Sequence, residues 1–182
     1  PKVDVVGIDD EACGQIAAET LLARGYKRLA FLGGPQAATS TQSRLRGFLS
    51  ELQRAGGPTP DITFAEAYSF EAGRAEMQRL LRETTPAEAY FCGDDVLSIG
   101  ALSAIRDHGL RVPEDIGLIG VNDMQMSGWQ NINLTTIAQP FAEIIQTSID
   151  VIVDMLQAPK QPAQARRLPC RLVERGTLRA RP

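Results

Sequence analysis

Short apolar runs that alternate with helical segments constrain the fold of this chain more than any other feature. Five such runs occur at residues 3–8, 29–32, 62–67, 89–92 and 117–121. Each is followed by a stretch in which apolar side chains recur with a helical period. Because the runs are continuously apolar rather than alternating, both of their faces are predicted to be buried. The pattern predicts an α/β domain: a doubly wound parallel sheet flanked by helices.

After residue 121 the rhythm changes. Residues 122–133 are irregular and polar, and residues 134–138 are short and extended. A long helix with an apolar stripe is predicted from about residue 141 to 157, and a final strand at residues 168–173. A helix and a strand added after five strand–helix units predict that the chain leaves the domain and returns to it.

The composition restricts the classes of partner. The chain has 182 residues, of which 43% are hydrophobic, so it can bury a sizeable core. A domain that binds nucleic acid is normally basic, and the net charge of −3 argues against direct binding to a phosphate backbone. The longest apolar stretches fall far short of the roughly 20 residues that cross a bilayer, so no membrane contact is expected. The chain begins at Pro1 without a methionine, and we expect it to be part of a longer protein.

The cysteines and the histidine exclude the usual zinc sites. Cys13, Cys92 and Cys170 are widely spaced, no C-x-x-C pair occurs, and His108 is the only histidine. We therefore expect neither a metal nor a cofactor. Three reduced thiols in a cytoplasmic protein are the simplest interpretation.

Polar pairs follow three of the predicted strands. They are Asp9-Asp10, Asp94-Asp95 and Asn122-Asp123. Each pair by itself has two interpretations. Its carboxylates could serve acid–base or magnesium chemistry. Alternatively, the pair could cap the next helix and interact favourably with the positive end of that helix. Ligands of open α/β sheets bind at the carboxyl ends of the strands, where these pairs meet. Together they predict a binding site without identifying a reaction.

The loop after the second strand offers hydroxyls rather than a phosphate cradle. Its sequence GGPQAATSTQSR lacks the G-x-x-x-x-G-K-[ST] pattern. Ser40 and its hydroxyl-bearing neighbours precede Arg44, whose guanidinium could hold adjacent sugar hydroxyls; the same hydroxyls could instead only cap the next helix. Tyr68 could stack on a sugar or be a core or rim tyrosine, and Trp129 could line a pocket rim or a hinge contact.

Catalysis has little support in the sequence. No serine or cysteine has a plausible histidine partner, so we do not expect an enzyme. A small hydrolase or phosphatase that uses Asp94 or Asp9 would need a metal or phosphate site. Six arginines lie in the last 17 residues, and their alternation with Leu168, Cys170 and Leu172 favours a strand with solvated arginines over a nucleic-acid-binding tail.

The order of motifs over nearly the whole chain resembles the lactose/galactose repressor family. The motifs are GIDDEACGQIAAETLLARGYKRLAFLGGP, SRLRGFLSEL, FEAGRAEMQRLL, GDDVLSIGALSAIRDHGLRVPEDIGLIGVND, LTTIAQP and LVERGTL. The family's regulators have an N-terminal helix-turn-helix, a hinge helix and a two-lobed effector domain of the periplasmic-binding-protein type I fold. The resemblance implies that residues 1–138 form the second lobe, residues 139–163 a crossover helix of the mostly absent first lobe, and residues 164–182 a return strand and tail. It also implies that the DNA-binding headpiece is absent from this chain.

The resemblance also implies five effector contacts. Arg44 matches the arginine that grips effector hydroxyls, Ser40 a polar contact and Tyr68 a stacking aromatic. Asp94 stands where the family often has asparagine, and Asn122 where it usually has aspartate. Because acid and amide have exchanged places, the effector cannot be copied from a relative. Ala38 replaces an arginine of the purine-responsive members, which argues against a purine.

The implied function is that of a cytoplasmic, homodimeric transcriptional regulator, specifically a repressor. A small effector of the carbohydrate class would bind between the lobes and allosterically change operator binding by the absent helix-turn-helix. A periplasmic sugar-binding protein of a transporter shares the fold and is the alternative. The LTTIAQP and LVERGTL segments favour the regulator.

Overall fold

The computed structural model describes residues 3–157 and 162–181. The strands are β1 (Val5–Ile8), β2 (Leu29–Gly33), β3 (Asp61–Phe64), β4 (Ala89–Cys92), β5 (Gly117–Asn122), β6 (Thr136–Ala138), β7 (Ala165–Leu168) and β8 (Arg171–Val173). The helices are α1 (Asp10–Leu22), α2 (Thr39–Arg54), α3 (Phe70–Glu83), α4 (Asp95–Asp107) and α5 (Phe141–Gln157). A short 3₁₀ helix lies at Gln125–Gly128.

A six-stranded sheet in the order β3-β2-β4-β5-β6-β8 forms the centre of the molecule. Its first five strands are parallel, and β8 is antiparallel to β6. Every residue of β2 and β4 is buried, as their continuous apolar sequences predict. The prediction of a doubly wound parallel sheet is therefore confirmed.

Alternate residues of the strands belong to two separate cores. Phe31 and Phe91 pack with Phe48 of α2 on the side that carries α1 and α2, with ring centroids 5.3–6.4 Å apart. Leu32 and Tyr90 belong to the opposite core, together with α3 and α4. Helices thus cover both faces, and the carboxyl ends of the strands are left as the open edge.

The prediction that residues 3–8 form the first strand of the main sheet is wrong. β1 pairs with β7 in a separate two-stranded parallel sheet, and α5 packs against β1. Of the four β1 residues only Ile8 is buried. The apolar run correctly indicated a strand, but apolarity does not specify which strand is its neighbour.

The predicted single strand at residues 168–173 is also wrong. It is interrupted at Pro169-Cys170, which separates β7 from β8 and moves the chain from the small sheet to the large one. Proline has no backbone N–H to donate to a sheet, which accounts for the break. The chain passes between the two sheets at two further points. One is the step from β1 of the small sheet to α1, and the other is the step from β6 of the large sheet to α5, which packs against β1.

The arginines near the end of the chain are less solvated than the sequence suggested. Arg175 donates to Asp123 over 2.6 Å and to the carbonyl of Leu134 over 2.9 Å. The guanidinium of Arg179 lies 4.8 Å from the ring centroid of Tyr26. These residues fasten the end of the chain to the large sheet.

The long helix α5 presents apolar side chains to solvent. Those with the largest exposed fractions are Ile145 at 61% and Leu156 at 78%. Across residues 3–157 and 162–181, no helix has the length and apolarity that a bilayer crossing requires. Residues 158–161, within the predicted crossover segment, lie outside the described residues.

Candidate functional site

Four parallel strands end at one edge of the large sheet. β2 ends at Gly33, β3 at Phe64, β4 at Cys92 and β5 at Asn122. Of the residues predicted from the sequence, Asn122 ends β5, Tyr68 and Asp94 lie in the segments that follow β3 and β4, and Ser40 and Arg44 lie in the first turns of α2. Trp129 is further away along the chain, after the 3₁₀ helix. The topology therefore places the predicted contacts at one edge, as expected for an open α/β sheet.

Arg44 is a buried cation held in a fixed position. Its exposed fraction is 7%; its Nε donates to Oδ1 of Asp10 over 2.8 Å and its Nη1 to the carbonyl of Gly93 over 2.6 Å. These bonds connect α2 with the start of α1 and the end of β4. Nη2 makes no hydrogen bond within residues 3–157 and 162–181. The guanidinium is oriented before any ligand arrives, which lowers the entropic cost of binding.

Tyr68 is joined to the loop after β2. Its hydroxyl lies 2.5 Å from Oγ1 of Thr41 and 3.3 Å from Oγ of Ser40. Its ring lies against Gly34, where an added Cβ would come within 2.4 Å of the Tyr68 Cζ atom. Glycine at position 34 is therefore required for the ring to occupy this place. Ser40, Thr41 and Tyr68 form one polar cluster between the ends of β2 and β3.

Asp94 is both a helix cap and a buried acid at the edge. Its Oδ1 accepts from the backbone N–H of Leu97 over 2.8 Å at the start of α4. Its exposed fraction is 8%, and burial raises its pKa above the ordinary value, although the Leu97 N–H and the Arg44 charge oppose that rise. The two interpretations of this residue, cap and edge carboxyl, are thus compatible.

The neighbouring carboxyl, Asp95, has a separate structural role. It is completely buried and accepts from the N–H of Met124 (2.8 Å), Oγ of Ser127 (2.7 Å) and Oγ1 of Thr136 (2.5 Å). It therefore fastens the irregular segment after β5 to α4. In the part of the chain that the structure describes, no group of three His, Cys, Asp or Glu side chains could hold a metal ion.

Asn122 is the last residue of β5, the strand beside β4 in the large sheet. Its backbone is in the left-handed region, with φ of 117°, and its Oδ1 accepts from Nε2 of Gln139. Asp123, with φ of 53°, accepts from Arg175 instead. Two residues outside the regular backbone regions are therefore held by side-chain contacts at the point where β5 ends, a kind of strain that concentrates at functional sites.

The structure brings only some of the six predicted site residues into contact with one another. Ser40 and Tyr68 are joined by a hydrogen bond, and Arg44 donates to the carbonyl of Gly93, the residue that precedes Asp94. Asn122 is bonded to Gln139 at the adjacent strand end. Trp129 follows the 3₁₀ helix, is 51% exposed, and is hydrogen-bonded to none of the other five within the described residues.

Sequence reasoning missed the partners that hold the nominated residues. Asp10, Thr41, Gln139 and Arg175 fix the positions of Arg44, Tyr68, Asn122 and Asp123. Asp10 and Thr41 stood in polar clusters that had already been noticed, but those clusters did not indicate which long-range contact each residue makes. The sequence around Arg175 did not indicate its contact with Asp123, because the two residues are 52 positions apart.

Comparison with known proteins agrees with this architecture. A family model described as periplasmic binding protein-like domain matches residues 18–178. The repressor CytR of Escherichia coli K12 is 34% identical over 182 residues, covering 100% of this chain and 53% of CytR. The chain thus spans about half the length of the curated relatives it matches.

Two solved structures extend the comparison. A LacI family transcriptional regulator from Enterococcus faecium with bound ribose superposes with a TM-score of 0.86 at 29% identity, covering 96% of this chain and 65% of that one. The lac repressor dimer bound to operator and the anti-inducer ONPF gives a TM-score of 0.86 at 31% identity, covering 95% and 60%. The chain belongs to the periplasmic binding protein-like domain family, in the form found as the C-terminal effector domain of lactose/galactose-repressor-type regulators.

Proposed function

We propose that this chain is the effector-sensing lobe of a cytoplasmic transcriptional repressor, and that it binds a sugar or sugar derivative at the carboxyl edge of its large sheet. The observation that carries the proposal is the buried Arg44 guanidinium, held by Asp10 and by the Gly93 carbonyl. A desolvated cation fixed at an open strand end is suited to a small polar ligand. No step of covalent chemistry is required for this function.

The chemistry of the edge fits a neutral, hydroxyl-rich ligand. Neighbouring sugar hydroxyls both donate and accept, so a guanidinium can donate to one while Asp94 or Asn122 accepts from another. The polar cluster around Tyr68 adds hydroxyl groups and an aromatic ring. A phosphate or other anion would meet the carboxylates of Asp10 and Asp94 close to Arg44, which disfavours it.

The relatives support regulation rather than transport. The Enterococcus faecium regulator contains ribose, and the lac repressor dimer is bound to operator DNA. Both are transcriptional regulators, as is CytR. The alternative of a periplasmic sugar-binding protein receives no support from these matches.

The two sheets suggest how binding is transmitted. We assign β1, β7 and α5 to the first lobe and the six-stranded sheet to the second, with three chain passages as the hinge. This assignment moves β1 out of the second lobe, where the resemblance had implied it, because β1 pairs with β7. An effector that binds the closed arrangement more tightly shifts the equilibrium toward closure by that difference in affinity, and the lobe angle changes operator binding. The apolar side chains exposed on α5 would be covered by the rest of the first lobe and a second subunit, consistent with a homodimer.

Calorimetric titration tests the proposal. The chain and the full-length protein are titrated with ribose, galactose, cellobiose and a nucleoside, each beside an Arg44→Met variant. We expect one compound to bind the full-length protein, the chain to bind it more weakly because half of the clamp is absent, and Arg44→Met to weaken binding by about 10- to 100-fold, as for loss of charge-assisted hydrogen bonds. Equal affinity of chain and full-length protein would show that the site is not shared between lobes. Unchanged affinity of Arg44→Met would show that it lies elsewhere.

A further inference from the structure

The LVERGTL motif, at residues 172–178, is hydrogen-bonded to β5 and to the residue that precedes β6. The hydroxyl of Thr177 donates to the carbonyl of Leu118 over 2.7 Å and accepts from the N–H of Thr135 over 2.9 Å. The N–H of Arg175 donates to Oγ1 of Thr135 over 3.0 Å. The motif therefore holds the backbone of Arg175 in a fixed place beside the large sheet.

The guanidinium of Arg175 reaches from this motif to the end of β5. Its Nη2 donates to Oδ1 of Asp123 over 2.6 Å, and its Nη1 donates to the carbonyl of Leu134 over 2.9 Å. The same group lies against Gly128 of the 3₁₀ helix, where an added Cβ would be 3.7 Å from Nη2. The side chains of Arg175 and Asp123 are only 20% and 23% exposed, so their attraction is screened less than that of a surface ion pair. One cation therefore connects the end of the chain with the residue that follows Asn122.

The backbone at Asn122 and Asp123 needs contacts that hold it in place. The φ angle is 117° at Asn122 and 53° at Asp123, and residues with a side chain rarely adopt such positive values. Conformations of this kind persist where the surrounding structure holds them. The N–H of Asp123 contacts Oγ1 of Thr136 over 3.4 Å, whereas the Asp123 carboxylate accepts from Arg175 over 2.6 Å. The charge-assisted bond is the shorter and the stronger of the two.

We propose that Arg175 is a positioning residue of the candidate site. By holding Asp123 in the left-handed region, it fixes the backbone from which Asn122 directs its side chain. The two residues share a peptide bond, so a rotation at Asp123 that releases the strain would also reorient Asn122. The inference deepens the proposed function and rests on it, because Asn122 is an expected effector contact.

An arginine suits this role better than a lysine does. Its two terminal nitrogens donate in different directions, one to Asp123 and the other to the carbonyl of Leu134. An ammonium group at the same place would keep the attraction to Asp123 but would not reproduce the rigid fork. The contributions of the charge and of the fork can therefore be separated by substitution, because lysine retains the charge and methionine retains neither.

Arg179 provides a matched control in the same segment. Its guanidinium lies 4.8 Å from the ring centroid of Tyr26, and its Nη2 donates to the carbonyl of Glu114 over 3.2 Å. These contacts fasten the chain near the start of β5, whereas Arg175 acts at the end of that strand. Loss of the Arg179 side chain therefore loosens the end of the chain without removing a contact of Asp123.

NMR spectroscopy of the isotope-labelled chain tests the proposal without an effector. In the left-handed region, at a φ of about +57°, the amide hydrogen and Hα of one residue are almost eclipsed, so we expect a strong NOE between these two atoms of Asp123 in the unchanged chain. In Arg175→Met this NOE should fall to the level of ordinary residues, and the side-chain amide signals of Asn122 should shift. Arg175→Lys should keep most of the NOE, and Arg179→Met should leave the NOE and the Asn122 signals unchanged.

Two results in Arg175→Met would overturn the proposal: an Asp123 NOE that stays strong, or Asn122 signals that do not shift. Equal shifts of the Asn122 signals in Arg175→Met and Arg179→Met would overturn it as well, because they would show that Arg175 only fastens the end of the chain. If Arg175→Met does not fold, Asp123→Ala breaks the same ion pair from the other side and leaves the bonds of Thr177 in place. Asp123→Ala should shift the same Asn122 signals, and unshifted signals would contradict the proposal.

Effector affinity is the second measurement. The full-length protein and its Arg175→Met, Arg175→Lys and Arg179→Met variants are titrated with ribose, galactose, cellobiose and a nucleoside. For the compound that binds the unchanged protein, we expect the dissociation constant to rise about 2- to 10-fold in Arg175→Met, as for the loss of one neutral hydrogen bond, and to recover in Arg175→Lys. Arg179→Met should bind as the unchanged protein does. A loss of stability in urea that is common to both methionine variants, with effector affinity unchanged in both, would mark a purely structural role and overturn the proposal.

The two measurements separate this inference from the proposed function. The NMR signals of Asn122 and Asp123 report the position of the backbone without an effector. Their failure to respond to Arg175→Met is therefore distinguishable from failure of the proposed effector site, which the Arg44 titration measures.

Discussion

The Nε of Arg44 lies 2.8 Å from Oδ1 of Asp10, and this ion pair joins α2 to the first turn of α1. The two side chains have exposed fractions of only 8% and 22%. A pair this far from solvent is screened weakly, so removing one partner leaves a charge that water does not compensate. Asp10 is therefore a positioning residue for the candidate site.

Asp10→Asn should weaken both the fold and the candidate site. The amide keeps the shape but loses the charge, and we expect the free energy of unfolding to fall by about 1.5–3 kcal/mol, the usual range for a hydrogen bond to a charged group. Urea unfolding monitored by circular dichroism measures the change. Glu11→Gln, one residue along, is the matched control because its ion pair with Arg46 is exposed on both sides. That control should stay within about 0.5 kcal/mol of the unchanged chain. Equal effects of the two substitutions would contradict the role of Asp10.

Asp94→Asn should stabilise the chain at neutral pH. Asparagine caps a helix as well as aspartate, so the bond to Leu97 N–H is retained while a desolvated charge is removed. Because burial raises the pKa of Asp94 in the folded state above its ordinary value of 3.8, the folded state binds the proton more tightly than the unfolded state. Below pH 3.8 both states carry the proton, and as the pH rises through the folded pKa this contribution to stability is lost.

The difference between Asp94→Asn and the unchanged chain should therefore depend on pH. We expect it to be largest near pH 7 and to vanish as the pH falls towards 3.8. Urea unfolding of both proteins between pH 3.5 and about 7.5 measures it. A variant that is less stable at pH 7, or a difference that grows towards low pH, would show that Asp94 is stabilised as a carboxylate by Arg44 rather than destabilised by burial.

Gly34→Ala should displace the ring of Tyr68. The added Cβ would come within 2.4 Å of the Tyr68 ring, and the ring cannot move without breaking its hydroxyl bond to Thr41. We expect a loss of about 1–3 kcal/mol of stability, in the range for overpacking, and a shift in the Tyr68 ring signals in NMR spectra. Gly7→Ala is the matched control, since nothing lies within 4 Å of its added Cβ. An unperturbed Tyr68 in Gly34→Ala would mean that the ring is not confined by this contact.

Strand positions and most of the candidate site followed from local sequence, whereas pairing partners did not. Continuous apolarity identified β2 and β4 as buried strands because burial is a property of each segment. The separation of β1 from the main sheet depends on β7, which is more than 150 residues away, and the local sequence contains no information about that pairing.

Adjacent residues with similar chemistry illustrate a second limit. Asp94 and Asp95 appeared equivalent in sequence, but Asp94 is the N-cap residue of α4 with an extended backbone, whereas Asp95 is the first residue of the helix, so their side chains take different directions. One lies at the open edge beside Arg44, and the other is completely enclosed between α4, β6 and the 3₁₀ helix. Sequence could place the pair at a strand end, but only the packing of the segment after β5 decides which carboxyl is available to a ligand.

Substitutions at Asp95 should separate the need for an acceptor from the need for a charge. Asp95→Ala leaves the N–H of Met124 and two hydroxyls without their acceptor, and we expect a loss of at least about 3 kcal/mol. Asp95→Asn should cost less than half as much, because the amide oxygen can accept from Met124 and Ser127 while its NH₂ donates to Thr136, whose hydroxyl is free to rotate. Urea unfolding measures both, with Asp107→Ala, an exposed acid at the other end of α4, as the control expected to change stability by less than about 1 kcal/mol. Equal destabilisation by Asn and Ala would mean that the charge of Asp95, rather than its hydrogen-bond acceptors, holds the segment after β5 in place.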